Sequence, residues 1–213
     1  PHSMRTHESF TQARAEFERA WNAPKHTRIE PQAVDVNDVL RTELALGDQH
    51  RLTAALLWDA EARKAWDPGT YIADVVLSGS SWARRELGGG EESFLRASTQ
   101  RAWKADGPDG VVLEEVYLSP SERSVLFFGR ATFESEQGTL LEAGTHQPLF
   151  HVEHAVAGTE DRPLNRWRIV HLTSEDDPAL TKRQREAVGT PEWLRAFLAK
   201  YVELHLGGDA PPR

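Results

Sequence analysis

Gly88-Gly89-Gly90-Glu91-Glu92-Ser93-Phe94-Leu95-Arg96-Ala97-Ser98-Thr99-Gln100-Arg101-Ala102-Trp103-Lys104 is the stretch on which the architecture turns. Read locally, Glu91 to Lys104 is a helix. Glu91 and Glu92 suit the positive end of a helix macrodipole, and Phe94, Leu95, Ser98, Ala102 and Trp103 fall on its inner side. The alternative is a strand from Phe94 to Trp103, but the alanine, glutamine, arginine and lysine content favours helix. The three glycines are no phosphate loop, because no Gly-Lys-Ser/Thr follows and two glutamates would repel a phosphate.

Downstream, the turn signal Ala105 to Gly110 precedes two strands, Val111 to Leu118 and Ser124 to Glu134. Both faces of the first are half apolar, so a sheet covered on both sides would enclose at least one of Glu114 and Glu115. Gln137 to Thr145 is a glycine-flanked loop that could cover a pocket. His146 to Leu172 reads as the closing hairpin, with Gly158 to Pro163 as its turn. Pairing Val156 with Asn165 sets Val152 against Ile169, Phe150 against His171, His154 against Trp167 and Glu153 against Arg168. That register puts two imidazoles into an apolar face and a cross-strand ion pair on the other. An acidic turn follows at Ser174 to Asp177. Thr190-Pro191-Glu192 then opens a helix to Leu206, which Gly207 and Gly208 end before a loose tail to Arg213.

Upstream, Glu8 to Asn22 has helical spacing at Phe10, Ala13, Phe17, Ala20 and Trp21, and Pro24 ends it. Thr27 to Glu30 suits a short strand. Val36 to Leu46 is a helix with Asn37 as N-cap, and a longer helix runs from Asp48 to Trp66 with an apolar stripe at Leu52, Ala55, Leu56, Ala62 and Trp66 that Leu57 and Trp58 widen. Asp67-Pro68-Gly69 breaks it; Thr70 to Ile72 forms one turn into a β-rich Ala73 to Leu77, Ser78 to Ser81 turn, and Trp82 to Leu87 return as a short strand.

The formal net charge of -8, with no run of Lys or Arg, argues against nucleic acid and anionic membrane surfaces as partners. No apolar run approaches a membrane span and Met4 to Ala20 is no signal peptide, so a soluble, cytoplasmic chain is expected. Zero cysteines exclude disulfides and thiolate chemistry. Pro1 to Ser3 read as a vector remnant (1–3), followed by an N-terminal helical extension (4–47), an α+β domain (48–175) and a C-terminal helix with tail (176–213).

Tyr71-Ile72-Ala73-Asp74-Val75-Val76 after a helix, Leu87-Gly88-Gly89-Gly90-Glu91-Glu92-Ser93-Phe94 opening the next, and Asn165-Arg166-Trp167-Arg168-Ile169-Val170-His171-Leu172 as a closing strand carry a resemblance. Their order resembles the nuclear transport factor 2-like superfamily, including its SnoaL-like polyketide cyclases. The resemblance implies a cone: a curved antiparallel sheet wrapped by helices around an apolar pocket, often dimerising through the outer sheet face. It also implies cofactor-independent isomerase, cyclase, dehydratase or epoxide-opening chemistry, or ligand binding without catalysis. The segments ahead of 48 and behind 175 depart from that pattern. Leu57-Trp58-Asp59-Ala60-Glu61-Ala62-Arg63-Lys64-Ala65-Trp66-Asp67-Pro68 and the helix Pro191 to Leu206 carry a second resemblance, to START-type helix-grip domains.

Both architectures imply an enclosed apolar cavity for a small apolar, polyketide- or terpene-like molecule, in which buried titratable groups can transfer protons. The candidates are His154 or His171 as base, Arg130 as anion stabiliser, Tyr71 or Asp74 as acid or orienting group, and Glu115 as a buried carboxylate. Each has a plain structural alternative: core histidines, a strand-starting Asp74, a core Tyr71, and a Glu115–Arg130 ion pair. No metal is expected, because His151 and His154 point to opposite faces of one strand and no third spaced ligand is present. Gly79-Ser80-Ser81 lacks the nucleophile-elbow pattern. Two classes stay open: a cofactor-independent enzyme, and a binding or accessory protein using the same cavity.

Overall fold

A computed structural model describes residues 5–101, 109–144, 148–188 and 192–207. The chain opens with α1 (Phe10–Asn22), whose N-cap Ser9 accepts a hydrogen bond from the Gln12 amide. β1 (Thr27–Ile29) and β2 (Val34–Asp35) lead into α2 (Val36–Thr42). Asp35, not Asn37, caps α2, accepting from the Asp38 amide. Asn37 instead donates to the Leu52 carbonyl at 2.9 Å and accepts from the Leu52 amide at 2.7 Å.

The long helix expected from Asp48 divides into a 3-10 turn (Gly47–His50) and α3 (Ala54–Trp66), capped by Thr53. Its inward face is rotated from the expected stripe: Ala54, Leu57, Ala60, Glu61, Lys64 and Ala65 are buried and Ala55 is exposed. Asp67 then caps the single turn α4 (Pro68–Tyr71), with Pro68 in the first turn, where it needs no amide partner.

From there the chain is a run of antiparallel strands: β3 (Val76–Gly88), β4 (Glu91–Gln100), β5 (Gly110–Ser119), β6 (Ser124–Arg130), β7 (Thr132–Glu134), β8 (Leu140–Glu142), β9 (Phe150–Gly158) and β10 (Pro163–His171). Two helices close it, α5 (Pro178–Val188), which the sequence reading did not anticipate, and α6 (Glu192–His205). The main sheet runs β1-β10-β9-β6-β5-β4-β3, with β2 also on β10 and β7–β8 as a separate ribbon. That ribbon occupies the loop expected at Gln137 to Thr145, and Phe133 on it packs edge-on against Trp82 at 5.6 Å.

The helix expected at Glu91 to Lys104 is strand β4. Gly88, Gly89 and Gly90 all take positive φ and make the tight connection from β3, after which Leu95 lies opposite Trp82 on one side and Glu115 on the other. Pairing on both edges gives β4 the backbone partners that a helix would have supplied internally, and the alternation of Phe94, Arg96 and Ser98 with Leu95 and Ala97 divides them between two faces. β3 likewise runs through the turn expected at Ser78 to Ser81, with register shifts between Val76/Ser78 and Trp82/Arg85 absorbing the irregularity. The element order behind the cone resemblance is therefore absent. What stands is an α+β fold with a large curved antiparallel sheet: a strand, helices, a long run of strands and a closing helix.

The closing hairpin has the anticipated register in every pair, including His154 opposite Trp167 and His171 opposite Phe150. Several expected features lie outside the described residues: the 1–3 remnant, His146, Ala102 to Lys104, most of the Ala105 to Gly110 turn, Thr145, the Thr190-Pro191 cap, and Gly208 onward.

The inner face of the sheet carries Phe94, Val112, Val116, Phe127, Val152 and Ile169 and packs beneath α3 and α6. On the outer face, Tyr117, Leu126, Phe128 and Val170 pack beneath Phe10, Ala13, Phe17 and Ala20 of α1. Burying both faces explains why both Glu114 and Glu115 are enclosed, at 3% and 2% exposure.

Candidate functional site

Between α3, α6 and the inner face lies a polar cluster in otherwise apolar packing. Glu61 and Lys64, three residues apart on α3, are 1% and 2% exposed and meet at 2.8 Å. Glu61 Oε1 accepts from Asn165 Nδ2 of β10 at 2.6 Å, and Glu61 Oε2 is 3.5 Å from His154 Nδ1 of β9. Trp193 of α6 is part-exposed; it packs at a tilt against Trp167 at 4.4 Å, stacks over His154 at 6.5 Å and stands 5.2 Å from Lys64 Nζ. Phe197, one turn on, lies 4.4 Å from the same Nζ, an aromatic approach that stabilises a cation. Beside the cluster, Arg96 of β4 pairs with Glu114 of β5 at 2.8 Å, donates to the Ala65 carbonyl and lies over the Phe127 ring.

Burial pushes the His154 imidazole and the Lys64 ammonium below their ordinary values; the Lys64 cation lowers His154 further, and Arg96 lowers both. Burial alone would raise the Glu61 carboxyl; Lys64 and His154 together hold it down at about 2. The cluster therefore presents a carboxylate, a neutral imidazole and an amine whose proton is less firmly held than a surface lysine's. Glu61 Oε2 and Lys64 Nζ are paired with each other, whereas His154 Nδ1 and Trp167 Nε1 are buried without a well-formed hydrogen bond. A buried polar group left unpaired costs about 1–3 kcal/mol, so these two atoms need a reason to be there.

The six sequence candidates are not brought together. His154 belongs to this cluster. His171 also faces inward but at the end of β10, where its ring meets Phe150 and Gln184 of α5; burial lowers it to about 4. Arg130 and Glu115 are on the opposite side of the sheet, paired at 3.1 Å, so Arg130 cannot stabilise an anion beside His154. There Arg130 also grips both oxygens of Glu16 on α1, and Glu115 accepts from Tyr117 and Thr6. Tyr71 hydrogen-bonds His205 of α6 at 2.7 Å, and burial raises its hydroxyl. Asp74 is exposed in the turn before β3, its carbonyl accepting from Arg101.

Among the described residues, no group of three or more His, Asp or Glu side chains could hold a metal ion. Glu61, Lys64, Asn165 and Trp193 were missed in the sequence. The available signal is spacing: Leu57, Glu61, Lys64 and Ala65 share one helix face, against the ordinary pattern of charge towards solvent.

No family model matches the chain, and no curated protein matches it. Among solved structures, the Zhui aromatase/cyclase from Streptomyces sp. R1128 aligns over 86% of this chain and 99% of its own, with 12% identity and a TM-score of 0.51. Ginseng major latex-like protein 151 from Panax ginseng aligns over 83% and 98%, with 10% identity and a TM-score of 0.50. Ara h 8.0201 aligns over 84% and 99%, with 9% identity and a TM-score of 0.50. At such identities the likeness is one of fold, and with the strand order above it points to a helix-grip arrangement; none of these matches shows the cone.

Proposed function

We propose that the protein binds a small, largely apolar molecule of polyketide- or terpene-like character between α6 and the inner sheet face. On this reading it acts on that molecule by cofactor-independent acid–base chemistry of the isomerase, cyclase or dehydratase kind. One observation carries the proposal: the buried Glu61–Lys64 ion pair converges with His154 Nδ1 and Trp167 Nε1, neither of which has a well-formed hydrogen bond. His154, neutral in this setting, is the base; Lys64 Nζ and Trp167 Nε1 are donors for the oxygen on which negative charge would develop. Asn165 orients Glu61, which in turn orients the imidazole. The aromatase/cyclase among structures of similar fold is consistent with this class.

The aromatic cover of Trp193, Trp167 and Phe197 favours a second reading, a protein that holds such a molecule without transforming it. Tryptophan-fluorescence titration with aromatic polyketide and terpenoid panels, followed by product analysis, separates the two. Saturable quenching with turnover that His154→Gln removes supports the enzyme. Binding without turnover leaves the second reading, and no saturable ligand in either panel sinks both.

A further inference from the structure

We infer that Lys64 is a nucleophilic amine that forms a Schiff base with a carbonyl group on the ligand, so that the site takes aromatic or otherwise apolar aldehydes and ketones. The inference rests on the proposed binding layer and specifies its chemistry.

Lys64 is the described lysine held in the interior; Lys25, Lys182 and Lys200 reach solvent in whole or part. Its Nζ sits among the rings of Trp193 and Phe197 and has one partner, the Glu61 carboxylate at 2.8 Å, with an imidazole 3.5 Å behind that carboxylate. An interior amine is more often unprotonated than a surface one, and a nearby carboxylate and imidazole can take and return protons. The ammonium of Lys64 passes a proton to the His154–Glu61 pair. The freed Nζ lone pair then attacks the carbonyl carbon, whose oxygen becomes a hydroxyl as it takes one of the two amine protons, the other staying on nitrogen through to a protonated imine. That hydroxyl leaves as water with the proton returned by the pair, and the C=N bond forms. Nothing is oxidised or reduced.

The part-exposed Trp193 ring touches Trp167, His154 and Lys64 together, so rotation of this one side chain uncovers the reactive atoms.

The test uses 6-methoxy-2-naphthaldehyde with sodium cyanoborohydride, which traps imines as stable secondary amines, followed by peptide mass mapping. The corresponding naphthyl alcohol serves as a non-carbonyl ligand read by tryptophan quenching. The expected result is an adduct on Lys64 at aldehyde concentrations that leave Lys25, Lys182 and Lys200 unlabelled. Removing the Trp193 cover by Trp193→Ala should speed trapping, by about tenfold if cover opening limits it. Lys64→Met would strand the Glu61 carboxylate, so Lys64→Arg, which keeps a cation there but forms no stable imine, is the informative replacement. It should abolish the adduct while retaining the fold and binding of the alcohol. Labelling that follows surface exposure, with the alcohol still bound, overturns the Schiff base and leaves the binding reading intact. If neither naphthyl compound binds or reacts at the site, both fall.

Discussion

The two faces of the sheet hold charge in opposite ways. On the outer face, Glu153 is fully buried but is met by Arg14, Arg168 at 2.9 Å and the Ser124 hydroxyl at 2.8 Å. Glu16 is shared by Arg130 and His7, and Glu18 takes Arg168 at 2.6 Å. These partners tie α1 to the sheet, although Arg85 Nε, Ser93 Oγ and Arg166 Nε on the same side have no hydrogen bond. On the inner face the Glu61–Lys64 pair, at 2.8 Å, stands among aromatic rings beside His154 Nδ1 and Trp167 Nε1, which have no well-formed hydrogen bond. A many-membered network specifies packing, whereas a two-residue pair beside unpartnered polar atoms is where a ligand has something to complete.

Acid should test this contrast most strongly. His151, beneath α1 and facing Glu16 and Arg130, and His171, beneath α5 and near Asp177, are both lowered by burial from 6.5 to about 4. The unfolded chain takes up these protons below pH 6.5 while the folded chain does not, so stability falls as pH drops from 6.5 to 4. The slope is about 1.4 kcal/mol per pH unit from each group. Glu16, depressed to about 2, contributes stability that is whole above pH 4.5 and is lost as pH falls towards 2. Urea denaturation across this range should show the loss, and His151→Gln should flatten its upper part; an unchanged slope would mean the imidazole is not enclosed.

Next in size, Glu153→Ala leaves the buried ends of Arg14 and Arg168 without their shared carboxylate. It should cost about 3–5 kcal/mol in denaturant unfolding, and a loss under 1 kcal/mol would break the view of the outer network as structural. The inner pair should behave differently when removed whole. Glu61→Leu with Lys64→Met should leave stability unchanged or raise it by about 1 kcal/mol or more, while abolishing ligand chemistry. A large destabilisation by the double variant would make the inner cluster a fold determinant like the outer one. Smallest is Arg41→Ala, whose 2.6 Å pair with Asp38 is more than half exposed on both sides; thermal melting should register under about 1 kcal/mol.

The closing hairpin was legible because two independent signals coincide there. A period of two along Phe150 to Val156 and Trp167 to His171 sets the faces, and only one register keeps Glu153 with Arg168 and the apolar residues together. His154 could thus be placed on the inner face from the sequence. Its partners could not, because a helix carrying Glu61 and Lys64 inward contradicts the ordinary pattern of charge towards solvent. Arg130 and Glu115 failed as inner-site candidates for a related reason. With both faces covered, alternation shows that they share a side but not which side meets α6.

From the sequence alone follow the α+β character, α1 with its buried stripe, the last hairpin in register, the closing helix α6, and the absence of cysteine chemistry. Local periodicity, capping residues and composition determine these, and none depends on distant parts of the chain. Only the tertiary structure decided that Glu91 to Gln100 is a strand and that an ion pair lies under Trp193. Backbone pairing with β3 and β5 on both edges outweighs a helix preference of a few tenths of a kcal/mol per residue. Mutual neutralisation of Glu61 and Lys64, three residues apart in sequence, lets both charges enter an interior that neither could enter alone.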